Sequence, residues 1–304
     1  MRNIYAIGET VFDIIFKDNE PVTAKSGGSV LNTCVSLGRL NLPVHLITEY
    51  ANDPVGEIID GFLNKNGVST DFVQRFGDGK SALALAFLDE NNDADYSFYK
   101  LYGKQRLNVP MPDFKPDDIL LFGSFFAITK EVRYNLLRIV QQAKKDGALV
   151  MYDPNFRNAH SEAMDELRPM IIENIALADI IRGSNEDFQA IFDKNTPDET
   201  YQLIAGKCPN LIYTANTEGV YLRTDQTKKQ YRTEQIEPVS TIGAGDNFNA
   251  GILFSLIKNN ITREKLAGMS ETVWDKTIKT GIAFATHVCL QMDNYISKEF
   301  ADKQ

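Results

Sequence analysis

Short apolar segments typical of β-strands alternate with amphipathic helical segments along most of this 304-residue chain. The first part predicts a strand at 4–8, a helix at 30–40, a second strand at 44–48 and a helix at 56–66. Strands that are separated by helices form parallel sheets with helices on both faces. We therefore expect an α/β fold that binds its ligands where the strands end, at the carboxyl edge of the sheet.

The alternation is interrupted once and resumes after residue 118. The interruption is a predicted hairpin, 81–88 and 96–102, around a polar turn. With further strands from 12–24, it forms either a small β subdomain over the site or a plain edge hairpin. The later predicted elements are strands at 119–123, 149–153, 180–183 and 211–214, a hairpin at 220–223 and 229–232, and helices at 130–146, 162–174, 185–192, 197–207, 246–258 and 272–292.

Charge and composition restrict the partners and the location. The net charge of −9 and the pI of about 5.0 argue against nucleic acid and an anionic membrane as main partners. The sequence has no signal peptide and no apolar run near the roughly 18 residues of a membrane helix. Its three cysteines lack any CxxC or zinc spacing, as expected for a reducing compartment. We therefore predict a cytoplasmic protein.

The most specific motif lies in residues 239–251. Gly243 and Gly245 have no side chains, so backbone amides there can approach a ligand closely. Asp246 follows where a helix is predicted to begin, and helix N-termini bind phosphate. An anion cradle that contains a carboxylate suggests phosphoryl transfer to an acceptor that loses a proton. Alone, the segment fits a tight turn with an aspartate N-cap equally well.

Two well separated segments resemble the signatures of the PfkB (ribokinase-like) carbohydrate kinase family. Residues 240–251, Ser-Thr-Ile-Gly-Ala-Gly-Asp-Asn-Phe-Asn-Ala-Gly, resemble its C-terminal signature, D-T-x-G-A-G-D-x-F. Residues 27–40, with Asp53-Pro-Val-Gly downstream, resemble its N-terminal signature. The resemblance covers nearly the whole chain. It implies one kinase domain over 1–304, with a three-layer α/β/α ribokinase-like fold, a central, mostly parallel sheet and a small β lid from 12–24 and 81–102.

The resemblance also implies the catalytic residues. Asp246 matches the family's catalytic base, and a carboxylate within hydrogen-bond reach can accept the proton of an attacking alcohol. The backbone amides of Gly243, Ala244 and Gly245 would stabilise the charge on the transferring phosphoryl group.

Four matching residues are implied in substrate binding. Asp13 ends the Gly-Glu-x-x-x-Asp opening, and its carboxylate can accept two sugar hydroxyls. Gly28 would allow close approach of the sugar, and Asn32 would contact it through its amide. Arg157 ends a D-x-N-x-R run and would bind the transferred phosphate or a substrate oxygen.

The nucleotide side implies ATP and Mg²⁺ as cofactors but matches the family less closely. The family's N-x-x-E run, which organises Mg²⁺ through water, falls on residues 184–187. In one register Ser184 and Asp187 carry its roles, and in the other Asn185 and Glu186 do. Glu186 and Asp187 are therefore the candidate metal residues, both acting indirectly. The sequence does not decide whether a monovalent cation also binds.

Further nucleotide-binding candidates follow the strand at 211–214 and precede the C-terminal motif. Thr214-Ala-Asn216 stands where the family has a T-x-G run, with asparagine in place of its glycine, and Gly219 follows. Thr241 belongs to the C-terminal signature. Ser240 replaces that signature's first aspartate, which removes a charge near the expected metal and phosphates.

The acceptor is predicted from residues 96–100, Tyr-Ser-Phe-Tyr-Lys, which resemble the F-x-F-Y-R stretch of fructokinases. Lys100 replaces the arginine and keeps its charge. We therefore expect fructose as substrate and fructose 6-phosphate as product. Ribose, 2-keto-3-deoxygluconate and a nucleoside remain alternatives, as does a catalytically silent sugar- or nucleotide-binding protein. An exposed apolar face of the lid would allow a homodimer.

Overall fold

The computed structural model describes residues 2–89, 94–156 and 164–304, and its strands form two sheets. The strands are β1 (Ile4–Ile7), β2 (Val11–Lys17), β3 (Glu20–Gly27), β4 (Val44–Ala51), β5 (Val68–Ser69), β6 (Val73–Phe76), β7 (Lys80–Leu88), β8 (Ala94–Leu101), β9 (Ile119–Gly123), β10 (Leu149–Asp153), β11 (Ile180–Ser184), β12 (Leu211–Ala215), β13 (Gly219–Arg223) and β14 (Lys228–Tyr231). The α-helices are α1 (Ser29–Arg39), α2 (Pro54–Lys65), α3 (Lys130–Lys145), α4 (Met164–Leu177), α5 (Asn185–Phe192), α6 (Pro197–Ile204), α7 (Ala244–Lys258), α8 (Arg263–Leu266), α9 (Glu271–Cys289) and α10 (Lys298–Ala301).

The main sheet has the order β14-β13-β12-β11-β10-β9-β1-β4-β5, and β6 pairs with β4. The strands from β5 to β12 in this order run parallel to one another. β13 pairs antiparallel with both of its neighbours, β12 and β14. The central strands are almost wholly apolar and buried, as parallel strands covered on both faces should be. The predicted α/β class with a mostly parallel sheet is confirmed.

The hydrophobic core consists of two clusters, one on each face of this sheet. Alternate residues of a strand point to opposite faces, so Ile4 and Tyr5 belong to different clusters. One cluster includes the apolar faces of α1, α7 and α9. The other includes those of α3, α4 and α5. This packing fixes α1 beside α7, and the two helices begin at the same edge of the sheet.

The smaller sheet has the order β3-β2-β7-β8. β2 and β3 form one antiparallel hairpin and β7 and β8 form another, while β2 and β7 pair in parallel. The hairpin at 81–102 therefore joins strands from the start of the chain and does not extend an edge of the main sheet. This arrangement rules out the edge hairpin. We call the smaller sheet the lid, and its role over the site stays a prediction.

Several boundaries differ from the sequence-based expectation. α7 begins at Ala244, two residues before the predicted start, because Gly243 adopts φ +82° and serves as the N-cap. β5, β6, α8 and α10 were not predicted, since these short elements show little hydrophobic periodicity. Among the described helices, none combines the length and the apolar character that crossing a bilayer requires.

Candidate active site

The turn that starts α7 is held by the segment that follows α9. A Cβ atom on Gly243 would lie 2.6 Å from the carbonyl oxygen of Asn294, so only glycine fits there. Asn247 donates from Nδ2 to the same carbonyl (2.8 Å). The side-chain oxygen of Asn294 accepts a hydrogen bond from Nζ of Lys25 on lid strand β3 (3.0 Å). The first amides of α7 lack intrahelical acceptors, which makes this turn suitable for an anion.

Asp246 lies in the first turn of α7 and its carboxylate faces the start of α1. Ser29 donates from Oγ to its Oδ1 (2.6 Å), and Asn32 donates from Nδ2 to its Oδ2 (2.8 Å). Thr33 donates to its backbone carbonyl (2.8 Å). The two signature segments thus meet through Asp246, and Ser29 is a contact that sequence analysis missed.

Burial raises the pKa of Asp246 to about 6. The hydrogen bonds from Asn32 and Ser29 oppose this rise, the negative charge of Asp153 adds to it, and the positive charge of Arg182 opposes it. A carboxyl group with this pKa is ionised at neutral pH and is more basic than an ordinary aspartate. Both properties suit a proton acceptor.

Asp13 and Gly28 lie beside the start of α1, close to the residues that bind Asp246. Gly28 caps α1 with φ +134°, and a Cβ atom there would lie 2.3 Å from the carbonyl oxygen of Glu9. A Cβ atom on Gly27 would lie 2.0 Å from Oδ2 of Asp13, so that carboxylate packs against the backbone just before α1. The structure therefore places Asp13, Gly28 and Asn32 near Asp246; their role in binding a sugar stays a prediction.

Lys100 reaches the same edge of the main sheet from lid strand β8. Its Nζ lies 2.7 Å and 2.9 Å from the two carboxylate oxygens of Glu9, which follows β1. The hydroxyl of Tyr102 also donates to Glu9, and burial together with this carboxylate raises the pKa of Tyr102. In this structure the cation predicted to bind sugar is thus paired with a protein carboxylate.

A buried polar network that sequence analysis missed lies on the other side of α7. Nη1 of Arg182 lies 3.1 Å from Oδ2 of Asp153, and its Nη2 donates to Oγ1 of Thr214 (2.8 Å). Asn249 donates from Nδ2 to the same oxygen of Asp153 (2.5 Å). The available signal was Arg182 itself, a charged residue within the otherwise uncharged strand β11.

Ser184 and Asp187 form a capping box at the start of α5. Oδ2 of Asp187 accepts from the amide and the hydroxyl of Ser184 (2.6 and 2.7 Å), and its Oδ1 accepts from the amide of Phe156 (2.6 Å). Burial, and secondly the charge of Asp153, raise the pKa of Asp187. Both oxygens of Asp187 are therefore engaged within the protein, whereas Glu186 beside it is exposed.

Thr214 lies near the end of β12, Asn216 opens the turn from β12 to β13, and Gly219 begins β13. Asn216 has φ +40°, in the left-handed region that glycine favours and asparagine tolerates. Gly219 has φ +102°, and a Cβ atom there would lie 2.1 Å from the carbonyl oxygen of Tyr231 on β14. Asparagine therefore preserves the backbone conformation at 216, and the pairing of β13 with β14 already requires glycine at 219.

Ser240, which stands where the family signature has aspartate, takes part in the turn before α7. Oγ of Ser240 accepts a hydrogen bond from the amide of Ile242 (3.2 Å). Thr241 is exposed, and its carbonyl accepts from the amide of Ala244 (3.2 Å). Arg157 lies outside the described residues. The neighbouring Asn155 donates from its amide to Oδ1 of Asp153 (3.0 Å).

Comparison with known proteins identifies relatives along nearly the whole chain. The profile described as pfkB family carbohydrate kinase matches residues 1–296. Fructokinase of Vibrio alginolyticus is 24% identical over 262 residues, covering 85% of each chain. Fructokinase of Rhizobium leguminosarum bv. trifolii is 28% identical over 280 residues, covering 88% of this chain and 84% of its own.

Two solved structures have the same fold. Aminoimidazole riboside kinase from Salmonella enterica, complexed with aminoimidazole riboside and an ATP analog, superposes with a TM-score of 0.85 at 20% identity, covering 99% of this chain and 98% of its own. Fructokinase from Vibrio cholerae O395, with fructose, ADP and calcium ion bound, gives a TM-score of 0.84 at 20% identity, covering 98% and 96%. These likenesses confirm the predicted ribokinase-like fold.

Proposed function

The chain belongs to the PfkB family of carbohydrate kinases, and from that premise we propose that it transfers the γ-phosphate of ATP to fructose, giving fructose 6-phosphate. The observation that carries the proposal is the buried carboxylate of Asp246, which Ser29 and Asn32 hold at the start of α7. A proton acceptor thereby lies within an anion-binding helix start, which is the arrangement that phosphoryl transfer to an alcohol needs.

In this mechanism Asp246 removes the proton from the sugar hydroxyl as its oxygen attacks the γ-phosphorus. The bond from phosphorus to the β,γ-bridging oxygen breaks, and ADP leaves with that electron pair. The amides of Gly243, Ala244 and Gly245 would stabilise the charge on the transferring phosphoryl group, and that of Ala244 would exchange its bond to the carbonyl of Thr241 for a phosphoryl oxygen. The proton ends on Asp246, whose pKa of about 6 allows it to be released again at neutral pH.

The sugar would bind where lid strand β2 meets the start of α1. Oδ1 of Asn32 is buried and has no hydrogen-bond partner in the protein, so a sugar hydroxyl that donates to it would satisfy it. Asp13 and the backbone at Gly28 border the same region. Lys100 would exchange Glu9 for a substrate oxygen, and Arg157 stays a predicted contact of the transferred phosphate.

ATP would bind along the turns that follow β11 and β12. The residues that we assign to nucleotide binding are Ser184, Asp187, Thr214, Asn216, Gly219 and Thr241. Ser184 and Asp187 act mainly by fixing the start of α5. The left-handed backbone at Asn216 supports close approach of a phosphate to its amide.

Mg²⁺ fits the start of α5. The described residues contain no group of three or more His, Cys, Asp or Glu side chains placed to chelate a metal. Mg²⁺ in kinases is held largely by nucleotide phosphates and water, with one or two carboxylates. Glu186 is exposed there, Oδ1 of Asn185 is buried without a partner, and Asp187 would act only indirectly. When bound, Mg²⁺ neutralises charge on the phosphates.

Two classes of acceptor are candidates for the sugar site. Fructose is supported by the fructokinase-like residues 96–100 and by the fructokinases among the relatives. A nucleoside is the second candidate, because an aminoimidazole riboside kinase superposes over 99% of this chain.

A coupled assay of ADP release would test the proposal. The acceptors are fructose, ribose, 2-keto-3-deoxygluconate, aminoimidazole riboside and adenosine, each with and without Mg²⁺. We expect Mg²⁺-dependent ADP release with the highest kcat/KM for fructose. A higher kcat/KM for aminoimidazole riboside would overturn the substrate. Fructose binding by calorimetry without ADP release under any condition would instead support a silent binding protein.

We also propose that the lid forms a homodimer interface. Its edge strand β8 exposes Phe98, Tyr99 and Leu101, which keep 50%, 57% and 61% of their accessible surface. Sedimentation should give twice the chain mass of 34.1 kDa, and Leu101→Lys should shift the protein toward monomer. Tyr134→Lys on α3, where the tyrosine is 73% exposed, is the matched control. A monomer at all concentrations would contradict this interface.

The cytoplasmic location belongs to the same proposal. Cys34, Cys208 and Cys289 are all free thiols, and the first two are buried. This pattern supports a reducing compartment.

A further inference from the structure

A buried arginine lies beside the phosphate cradle, and the mechanism above gives it no task. Arg182 belongs to β11, and its side chain keeps only 10% of its accessible surface. Burying a guanidinium group is costly unless its charge and its donors are matched. The groups that match it therefore indicate what it does.

The guanidinium group joins three elements at the carboxyl edge of the sheet. It pairs with Asp153 at the end of β10 (3.1 Å) and donates to Thr214 near the end of β12 (2.8 Å). A Cβ atom on Gly245 would lie 2.8 Å from its Nη1, so it packs on the first turn of α7. Its carbon atom Cζ lies 5.7 Å from the ring centre of Phe248 in the same helix.

The charges around the first turn of α7 explain how a buried cation can lie there. A helix N-terminus carries a positive dipole end, so a cation there is unfavourable unless anions offset it. Asp153 and Asp246 are two such anions, and Asp187 on α5 is a third that interacts with Asp153. From α1, the groups that contact Asp246 are the neutral donors already described.

We propose that Arg182 is a positioning residue for phosphoryl transfer, which holds Asp153 and Thr214 against the first turn of α7 and supplies positive charge beside the cradle. The inference rests on the proposed function, because it takes Asp246 as the base. Arg182 acts in two ways that can be separated: its hydrogen bonds fix the geometry, and its charge favours the ionised form of Asp246.

The kinetic test compares two substitutions of Arg182. In Arg182→Met the negative charge of Asp153 is no longer offset, so the pKa of Asp246 rises. The acid limb of kcat/KM should then move up by about one pH unit, and kcat should fall about 10²-fold. Arg182→Lys keeps the charge and loses the planar fork, so the acid limb should stay in place while kcat falls about 10-fold.

The matched control is Arg223→Met. The side chain of Arg223 is 8% exposed, close to the 10% of Arg182, and it pairs with Asp198. Arg223 lies beside the start of β12, at the opposite edge of the main sheet. This substitution should lower thermal stability without moving the acid limb. The proposal is wrong if Arg182→Met moves the limb no further than Arg223→Met, or if Arg182→Lys moves it as far as Arg182→Met.

A second readout does not depend on turnover. The carboxyl group of Asp246 can be titrated by ¹³C NMR and assigned with Asp246→Asn. A raised midpoint in Arg182→Met, in a protein that shows no kinase activity, would support the coupling and refute the kinase function. An unchanged midpoint in an active kinase would refute the role of Arg182 alone. If Arg182→Met does not fold, Thr214→Val can be measured in its place. It removes one hydrogen-bond acceptor of Arg182, so it should lower kcat without shifting the titration midpoint of Asp246.

Discussion

The two sides of the α7 turn hold their functional groups in different ways. On the base side, Asp246 is bound by side chains of α1 at 2.6 and 2.8 Å, so the identity of each residue matters. On the nucleotide side, the turns at Asn216 and Gly219 depend on backbone conformation, with φ of +40° and +102°. A backbone conformation tolerates exchange of the side chain that adopts it. The departures from the family pattern at 216 and 240 lie on the side that we assign to the nucleotide, whereas the departure on the sugar side, Lys100, keeps the charge of the arginine that it replaces.

The largest expected effect is a loss of kcat when the proposed base, Asp246, is replaced. Asp246→Asn keeps the shape of the side chain but cannot accept the proton, so kcat should fall about 10²–10⁴-fold. Steady-state ADP release with saturating fructose measures this. ATP binding, measured by calorimetry, should change little, because the first turn of α7 is preserved. Normal turnover in this variant would show that Asp246 is not the base.

A smaller loss is expected when a group that holds the base is removed. Asn32→Ala deletes one donor to Asp246 and the predicted sugar contact, so the KM for fructose should rise about 10- to 100-fold, the scale of a lost hydrogen bond to a charged group. The pKa of Asp246 should also rise, since Asn32 lowers it. Kinetics at several pH values measure both changes. Unchanged KM and acid limb would place the sugar elsewhere.

The unmodified protein should lose activity on its acid side near pH 6. The base works only when ionised, and the folded protein raises the pKa of Asp246 to about 6. At pH 5, kcat/KM should therefore be about one-tenth of its plateau value. A pH profile of kcat/KM measures this limb. An acid limb near pH 4, the range of an ordinary aspartate, would contradict the effect of burial.

The smallest effect is expected on the nucleotide side. Asn216→Gly keeps the left-handed conformation, so the KM for ATP should change less than about threefold. Asn216→Val places a β-branched residue at positive φ and should raise it further, with lower thermal stability. Equal and large effects of both substitutions would mean that the Asn216 side chain itself binds the nucleotide.

Sequence patterns predicted local features well and contacts between distant segments poorly. The alternation of elements gave the parallel sheet, and the glycine-rich motifs marked the starts of α1 and α7. The bond from Ser29 to Asp246 and the network around Arg182 join residues far apart in sequence, so no local pattern reveals them. The early start of α7 depends on the contact between Gly243 and Asn294, which is equally distant. The starts of the two helices were therefore predictable from the sequence, whereas the contacts that Asp246 and Arg182 make were not.

Asn294 gives the molecule a mechanical link between its two sheets. Its backbone packs on the catalytic turn while its side chain accepts the lid's Lys25. A lid that swung outward would have to break this bond before it left the site. A displacement of the smaller sheet would therefore act on the same residue that supports the start of α7.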